Sequence, residues 1–178
     1  MTYQSQVAIA RTSDSQPADA IPPTADAPAA GELGPEDLQV ATRFGDYAVA
    51  PDKTLRFERG LLGFAQPGTF ALLDLPGEAP QAFRLLQKVD DETLGFIVLP
   101  LTGELEADAE SDLQAACDAR HLDRADAVFL LIATLRPKTG GGVDITVNRR
   151  APVLLDGQRM TGVQVVLNDP RYEVQYRL

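Results

Sequence analysis

Residues 83–100, FRLLQKVDDETLGFIVLP, constrain the fold more than any other stretch. Phe83, Leu85, Gln87 and Val89 alternate with Arg84, Leu86 and Lys88. After Asp90-Asp91-Glu92-Thr93, Leu94, Phe96 and Val98 alternate with Gly95, Ile97 and Leu99. Period-two alternation on both sides of a short polar break specifies two strands and a tight turn. Asp suits such a turn because its carboxylate accepts hydrogen bonds from the backbone just beyond it. Apolar residues on both faces fit a barrel or sandwich interior better than a sheet edge. The carboxylates of Asp90, Asp91 and Glu92 are expected at an exposed tip.

Further strands follow the same logic. Thr54–Phe57, Phe70–Leu75, Ala127–Leu135, Val143–Val147, Pro152–Leu155, Gly162–Leu167 and Tyr172–Tyr176 are short apolar or alternating runs, with Asp156-Gly157 as a hairpin signal between two of them. Eight to ten strands spaced 8–12 residues apart mark an all-β barrel or sandwich. Within 103–126 the composition turns acidic and Ala-rich, and Ser111-Asp112-Leu113-Gln114 fits a capping box at the start of a short helix. The expected fold is an all-β, antiparallel β-barrel-like single domain with a short helical insert, covering residues 39–178. Residues 1–38 are rich in Ala, Pro, Ser and Asp, with Pro22, Pro23 and Pro28 breaking any regular element, and are expected to form a disordered acidic extension.

Charge narrows the partners. The net charge of −10 is uneven: −5 over 1–38, −2 over 39–102, −6 over 103–135 and +3 over 136–178. Phosphate backbones repel such a chain, so a basic protein surface is a better partner than nucleic acid. The single Cys117 excludes an intramolecular disulfide and fits a reducing compartment. The apolar run 127–135 is far short of the roughly 20 residues a membrane helix needs. No basic segment leads into an apolar one at the N-terminus, so a cytoplasmic location is expected.

Little in the chain suggests catalysis or cofactor binding. FERGLLGF, residues 57–64, has two glycines but no Lys or Ser/Thr at its end and no helix after it, so it reads as a structural loop rather than a phosphate cradle. Cys117 and His121 stand four apart, but a metal needs more ligands and the chain has no other Cys or His. A catalytic Cys–His pair needs an electropositive setting, and this segment is acidic. No cofactor, no metal and no enzymatic activity are expected.

Four segments in order carry a resemblance: FERGLLGF at 57–64, LLQKVDDETLGFIVLP at 85–100, DITVNRRAP at 144–152 and TGVQVVLNDPRYEVQYRL at 161–178. Together they resemble the flagellar assembly factor FliW family over about residues 42–178. Lys88 stands where that pattern has a small polar residue, and Arg149 where it has Leu. The resemblance implies a non-enzymatic barrel-like protein with two partners taken in turn. One is flagellin. The other is CsrA, a small dimeric RNA-binding regulator whose repression of flagellin translation the freed factor relieves.

On that reading, the tip Asp90-Asp91-Glu92 and the acidic segment 103–126 are candidates to face CsrA. Ile97, Leu99 and Leu101 are candidates for flagellin, if one face of their strand is exposed. Arg149-Arg150 interrupts an apolar pattern and is expected to reach solvent without a role. A monomer is expected. The competing reading is a small-molecule-binding β-barrel without catalytic activity, which requires a cavity with converging polar groups.

Overall fold

The computed structural model describes residues 36–77 and 79–178. The expected disorder of residues 1–38 therefore lies almost wholly outside the described residues. Among the described residues, eleven strands and one α-helix follow in order: β1 (Leu38–Thr42), β2 (Gly45–Val49), β3 (Thr54–Phe57), β4 (Gly68–Asp74), β5 (Arg84–Lys88), β6 (Gly95–Pro100), α1 (Glu104–Asp118), β7 (Ala127–Pro137), β8 (Val143–Val147), β9 (Val153–Asp156), β10 (Thr161–Gln164) and β11 (Tyr176–Arg177).

Pairing runs β7-β6-β5-β4-β3-β10-β9, and β9 pairs again with β7, so these seven strands close a ring. Closure removes the sheet edges that would otherwise invite association. One junction is not antiparallel as expected: β10 runs parallel to β3, through Thr161 and Arg56 alone. The long β7 serves three partners. Residues 127–130 pair with β9, 130–132 with β6 and 133–137 with β8. β8 and β11 thus extend the sheet away from the ring.

Alternation sorts side chains to the two sides of the barrel wall. Leu55, Phe57, Phe70, Leu86, Phe96, Val98, Leu130, Ile132, Val153 and Leu155 form one buried cluster, which fills the ring. The rings of Phe57 and Phe70 lie 4.9 Å apart, and that of Phe64 meets Phe96 edge-on at 5.3 Å. Gly162 makes room for them: a Cβ there would stand 2.1 Å from Phe57 Cζ. The FERGLLGF loop plugs one region of the ring. It closes on itself through a bridge between Leu61 and Phe64, and Leu62 donates its N–H to Gln164 Oε1 at 2.9 Å.

Two covers lie on the outer face. The β1–β2 hairpin packs Val40 and Val49 onto Ala71, Leu73 and Leu85 of β4 and β5. α1 packs Ala109, Leu113 and Cys117 onto Phe129, Leu131, Leu154 and their neighbours. In β5, Leu85, Leu86 and Gln87 are buried on both faces, between the filled interior and the β1–β2 cover, whereas β6 buries Phe96 and Val98 inward and leaves Ile97 and Leu99 half-buried outward.

Three expectations change. α1 has fifteen residues and starts at Glu104, so Ser111 sits in mid-helix and caps nothing. Gly103, with φ 67°, makes the sharp entry that a capping side chain would otherwise mark. Tyr172–Gln175 forms no strand but bends and turns, and only Tyr176–Arg177 pairs with β8. Glu173 O accepts from Arg149 N at 3.0 Å, which keeps this segment against the barrel without a ladder. The β9–β10 hairpin forms as expected but with a longer loop, ordered by Asp156, which accepts from the N–H groups of Gln158 and Arg159 at 2.9 Å.

Candidate functional site

The turn between β5 and β6 presents the acidic tip. Gln87 is 1% exposed and organises it from beneath. Its Nε2 lies 2.6 Å from Asp91 O, 3.1 Å from Leu94 O and 3.2 Å from Lys88 O. Gly95 faces Gln87 across the ladder, and a Cβ there would stand 2.5 Å from Gln87 Oε1, so only glycine lets the amide lie flat across the pair.

The three tip acids differ in availability. Asp90 meets Lys88 Nζ at 2.6 Å, and the hydrogen bond from Lys88 holds its carboxyl below the usual carboxylate value. Asp91 accepts from the hydroxyl of Thr93 at 2.7 Å and from its N–H at 3.0 Å, which lowers its pKa likewise. Glu92 is exposed and makes no ion pair or hydrogen bond within the described residues.

Beside the tip, the ladder between β6 and β7 stops. Their ladder ends at Val98–Ile132, after which β7 follows β8. A cleft of about 30 Å³ opens between them, lined by Gly95, Phe96 and Ile97 on one side and Ile132, Ala133, Thr134 and Leu135 on the other. Ile97 and Leu99 are half-buried at the margin of the α1 core. Leu101 is buried beneath α1 and serves that core, so it is removed from the surface candidates. Beyond the cleft, Leu135 pairs with Ile145, whose carbonyl accepts from Leu178 N at 3.1 Å. This row, with Val143 at its border, continues the apolar face past the end of the helix, and Leu135, Val143 and Leu178 are exposed.

The acids of 103–126 are largely engaged within the molecule. Glu106 and Glu110 meet Arg124 Nη2 at 2.5 and 3.1 Å. Burial works against the Arg124 charge, but these two carboxylates outweigh it and raise its pKa. Asp108 meets Arg149 at 2.6 Å and Arg171 at 3.8 Å. Asp112 accepts from the Tyr172 hydroxyl at 2.5 Å. Arg149 is not the solvent-directed residue expected. Its side chain is 10% exposed, with the guanidinium 4.9 Å from the Tyr176 ring centroid and 5.6 Å from that of Tyr172. It fastens α1 to the C-terminal segment. The opposed charges of 103–135 and 136–178 were the available sequence signal, because these blocks pair with each other here.

Cys117 and His121 do not converge. Cys117 is buried under α1, and burial raises its thiol pKa. His121 lies past the helix end, at φ 53° and exposed. Among the described residues no group of three or more His, Cys, Asp or Glu could hold a metal ion, and no helix is long and apolar enough to cross a membrane.

Fold and site define a filled β-barrel whose distinctive surface is external: an acidic tip beside the place where the β6–β7 ladder ends. The FliW protein family model matches residues 39–178, and the chain belongs to that family. It is 32% identical over 136 residues to the flagellar assembly factor FliW of Geotalea uraniireducens (strain Rf4), covering 76% of this chain and 80% of that protein. It is 28% identical to the protein of the same name from Desulfitobacterium hafniense (strain Y51), over 78% of this chain and 88% of that one. A crystal structure of the flagellar assembly factor FliW superposes with a TM-score of 0.56 at 26% identity, covering 78% of this chain and 95% of that chain.

Proposed function

We propose that this protein is a cytoplasmic flagellar assembly factor that holds flagellin and, when free of it, binds CsrA and relieves its repression of flagellin translation. Family membership supports the flagellar role. The observation that carries the binding reading is the apolar outer flank at β6 and β7, where Ile97, Leu99 and Leu135 continue the core face beyond α1. A row of exposed apolar side chains on this outer face suits an apolar segment of a partner chain laid against it. Flagellin is assigned to this flank. CsrA is assigned to the tip Asp90-Asp91-Glu92, since acids complement a basic RNA-binding protein.

The small-molecule reading is weaker on a physical ground. Its cavity should measure about 300 Å³ or more, whereas the ring is packed with phenylalanine side chains and the outer cleft holds about 30 Å³.

Calorimetric titration of the full chain with flagellin and with CsrA, at two salt concentrations, tests the assignment. Saturable binding to both, weaker for CsrA at the higher salt, is expected. Replacing Asp90, Asp91 and Glu92 together by Ser should weaken CsrA binding and spare flagellin. Unchanged CsrA affinity would remove the tip from the interface.

A further inference from the structure

Past the end of its ladder with β6, the outer part of β7 carries β8 and β11 as a three-stranded extension of the sheet. Alternation gives this extension two unlike faces. Leu135 pairs with Ile145 and Pro137 with Val143, and Leu178 N donates to Ile145 O at 3.1 Å. These five apolar residues share the face that α1 covers further back along β7. Leu135, Val143 and Leu178 stay 37%, 48% and 53% exposed. The other face is polar: Arg136 pairs with Asp144, and Arg177 with Thr146. Asp144 is the one acid in residues 127–147 and 176–178. It lies 3.0 Å from Lys138 Nζ and 3.2 Å from Arg177 Nη2. Arg136 is exposed and has no ion pair among the described residues.

We propose that the partner segment taken by this strip is acidic as well as apolar: an amphipathic stretch with carboxylates flanking its apolar face, selected by Arg136, Lys138 and Arg177. This rests on the reading of the strip as a partner surface and adds the chemistry of the partner. Charge complementarity selects the occupant. Three cations, Arg136, Lys138 and Arg177, against the single Asp144 leave the border of the strip net positive, in a chain of net charge −10. The cations stand at the margins of the strip. Arg177 lies on β11, the edge strand among the described residues. Arg136 lies on β7 where its ladder with β6 has ended, and Lys138 opens the loop from β7 to β8. Long basic side chains around an apolar patch keep their heads in water, where they meet carboxylates at the rim of whatever covers the patch. The existing pairs with Asp144 are weak competitors, because the Arg177 side chain is 72% exposed and that of Lys138 49%. A second copy of the chain is disfavoured, since it would set like charges against each other. The tip Asp90-Asp91-Glu92 has the opposite sign, so the molecule sorts its two partners by charge as well as by place.

Two synthetic peptides with one apolar pattern, flanked by Glu in the first and by Lys in the second, test this by fluorescence anisotropy on the full chain. The net charge of the whole molecule favours the Lys peptide, so a preference for Glu reports the local border. About tenfold tighter binding of the Glu peptide at low salt is expected, narrowing as salt rises. Arg136→Ser/Lys138→Ser/Arg177→Ser should erase the preference, and Leu135→Ser should weaken both peptides. The proposal is overturned by equal binding of the two peptides, by a preference for Lys, or by no binding of either. A Glu preference that survives the triple substitution, or binding indifferent to Leu135→Ser, overturns it as well. Flagellin binding kinetics on the triple variant then test the identity of the occupant. About tenfold slower association with unchanged dissociation supports flagellin as the acidic partner. Unchanged flagellin binding beside a lost Glu preference keeps the acidic recognition and rejects flagellin as the partner on this strip.

Discussion

Single side chains decide how the surface is held. Gln87 is buried beneath the tip, with its amide nitrogen within hydrogen-bond distance of three carbonyls. Gln87→Leu fits the space but removes the side-chain bonds and leaves those carbonyls only their backbone donors, Leu94 N, Lys88 N and Asp91 N, which should cost about 1 kcal/mol. Faster exchange of the Asp91–Leu94 amides, with a lower urea midpoint, is the expected reading. Tyr172 works at the other end of the molecule. Burial first, and then its bond to Asp112, raise the phenol pKa above the ordinary 10.0. A raised pKa means that the folded state keeps the proton longer than the unfolded chain. Its contribution is therefore complete below pH 10 and is lost as pH climbs through the folded value. Tyr172→Phe should be less stable at neutral pH by about 1 kcal/mol for the lost hydrogen bond. Its further loss between pH 8 and 11 should be smaller than that of the unsubstituted protein in urea denaturation.

Elements show what could be read in the sequence and what could not. The β5–β6 hairpin was legible because alternation and turn chemistry agree over Phe83–Pro100, and Thr54–Phe57 and Val143–Val147 form strands with the expected bounds. The start of α1 was misplaced because Ser111-x-x-Gln114 has the form of a capping box inside a helix that begins on a glycine. Nothing local distinguishes the two cases. The side of β6 on which Ile97, Leu99 and Leu101 lie was legible, but their burial was not. That depends on how far α1 extends along the sheet, a long-range packing matter. Lys88 and Arg149, two of the departures from the family pattern, both found acidic partners, Asp90 and Asp108. Their roles need the fold, since Asp108 lies 41 residues from Arg149. The β3–β10 junction rests on a single pair, and Gly162 next to it takes the Phe57 ring against its Cα. Gly162→Ala should destabilise by about 1–3 kcal/mol through overpacking, read as a lower melting temperature with the circular dichroism spectrum kept.

At the scale of the whole molecule, the barrel is filled and its outer face is unevenly covered. The β1–β2 hairpin protects β4 and β5, α1 protects β7 and β9, and the flank of β6 with the outer end of β7 is left between them. Leu135 stands on this strip, 37% exposed and outside the buried clusters, so a charge there leaves the core intact. The measurement that tests the binding assignment most directly is calorimetric titration of flagellin into the full chain and into Leu135→Asp, with thermal melts of both to confirm the fold. At least a tenfold loss of affinity, with melting temperatures within about 3 °C of each other, is the expected result. Equal affinity for flagellin in the two proteins would contradict the assignment of the β6–β7 flank as the flagellin surface.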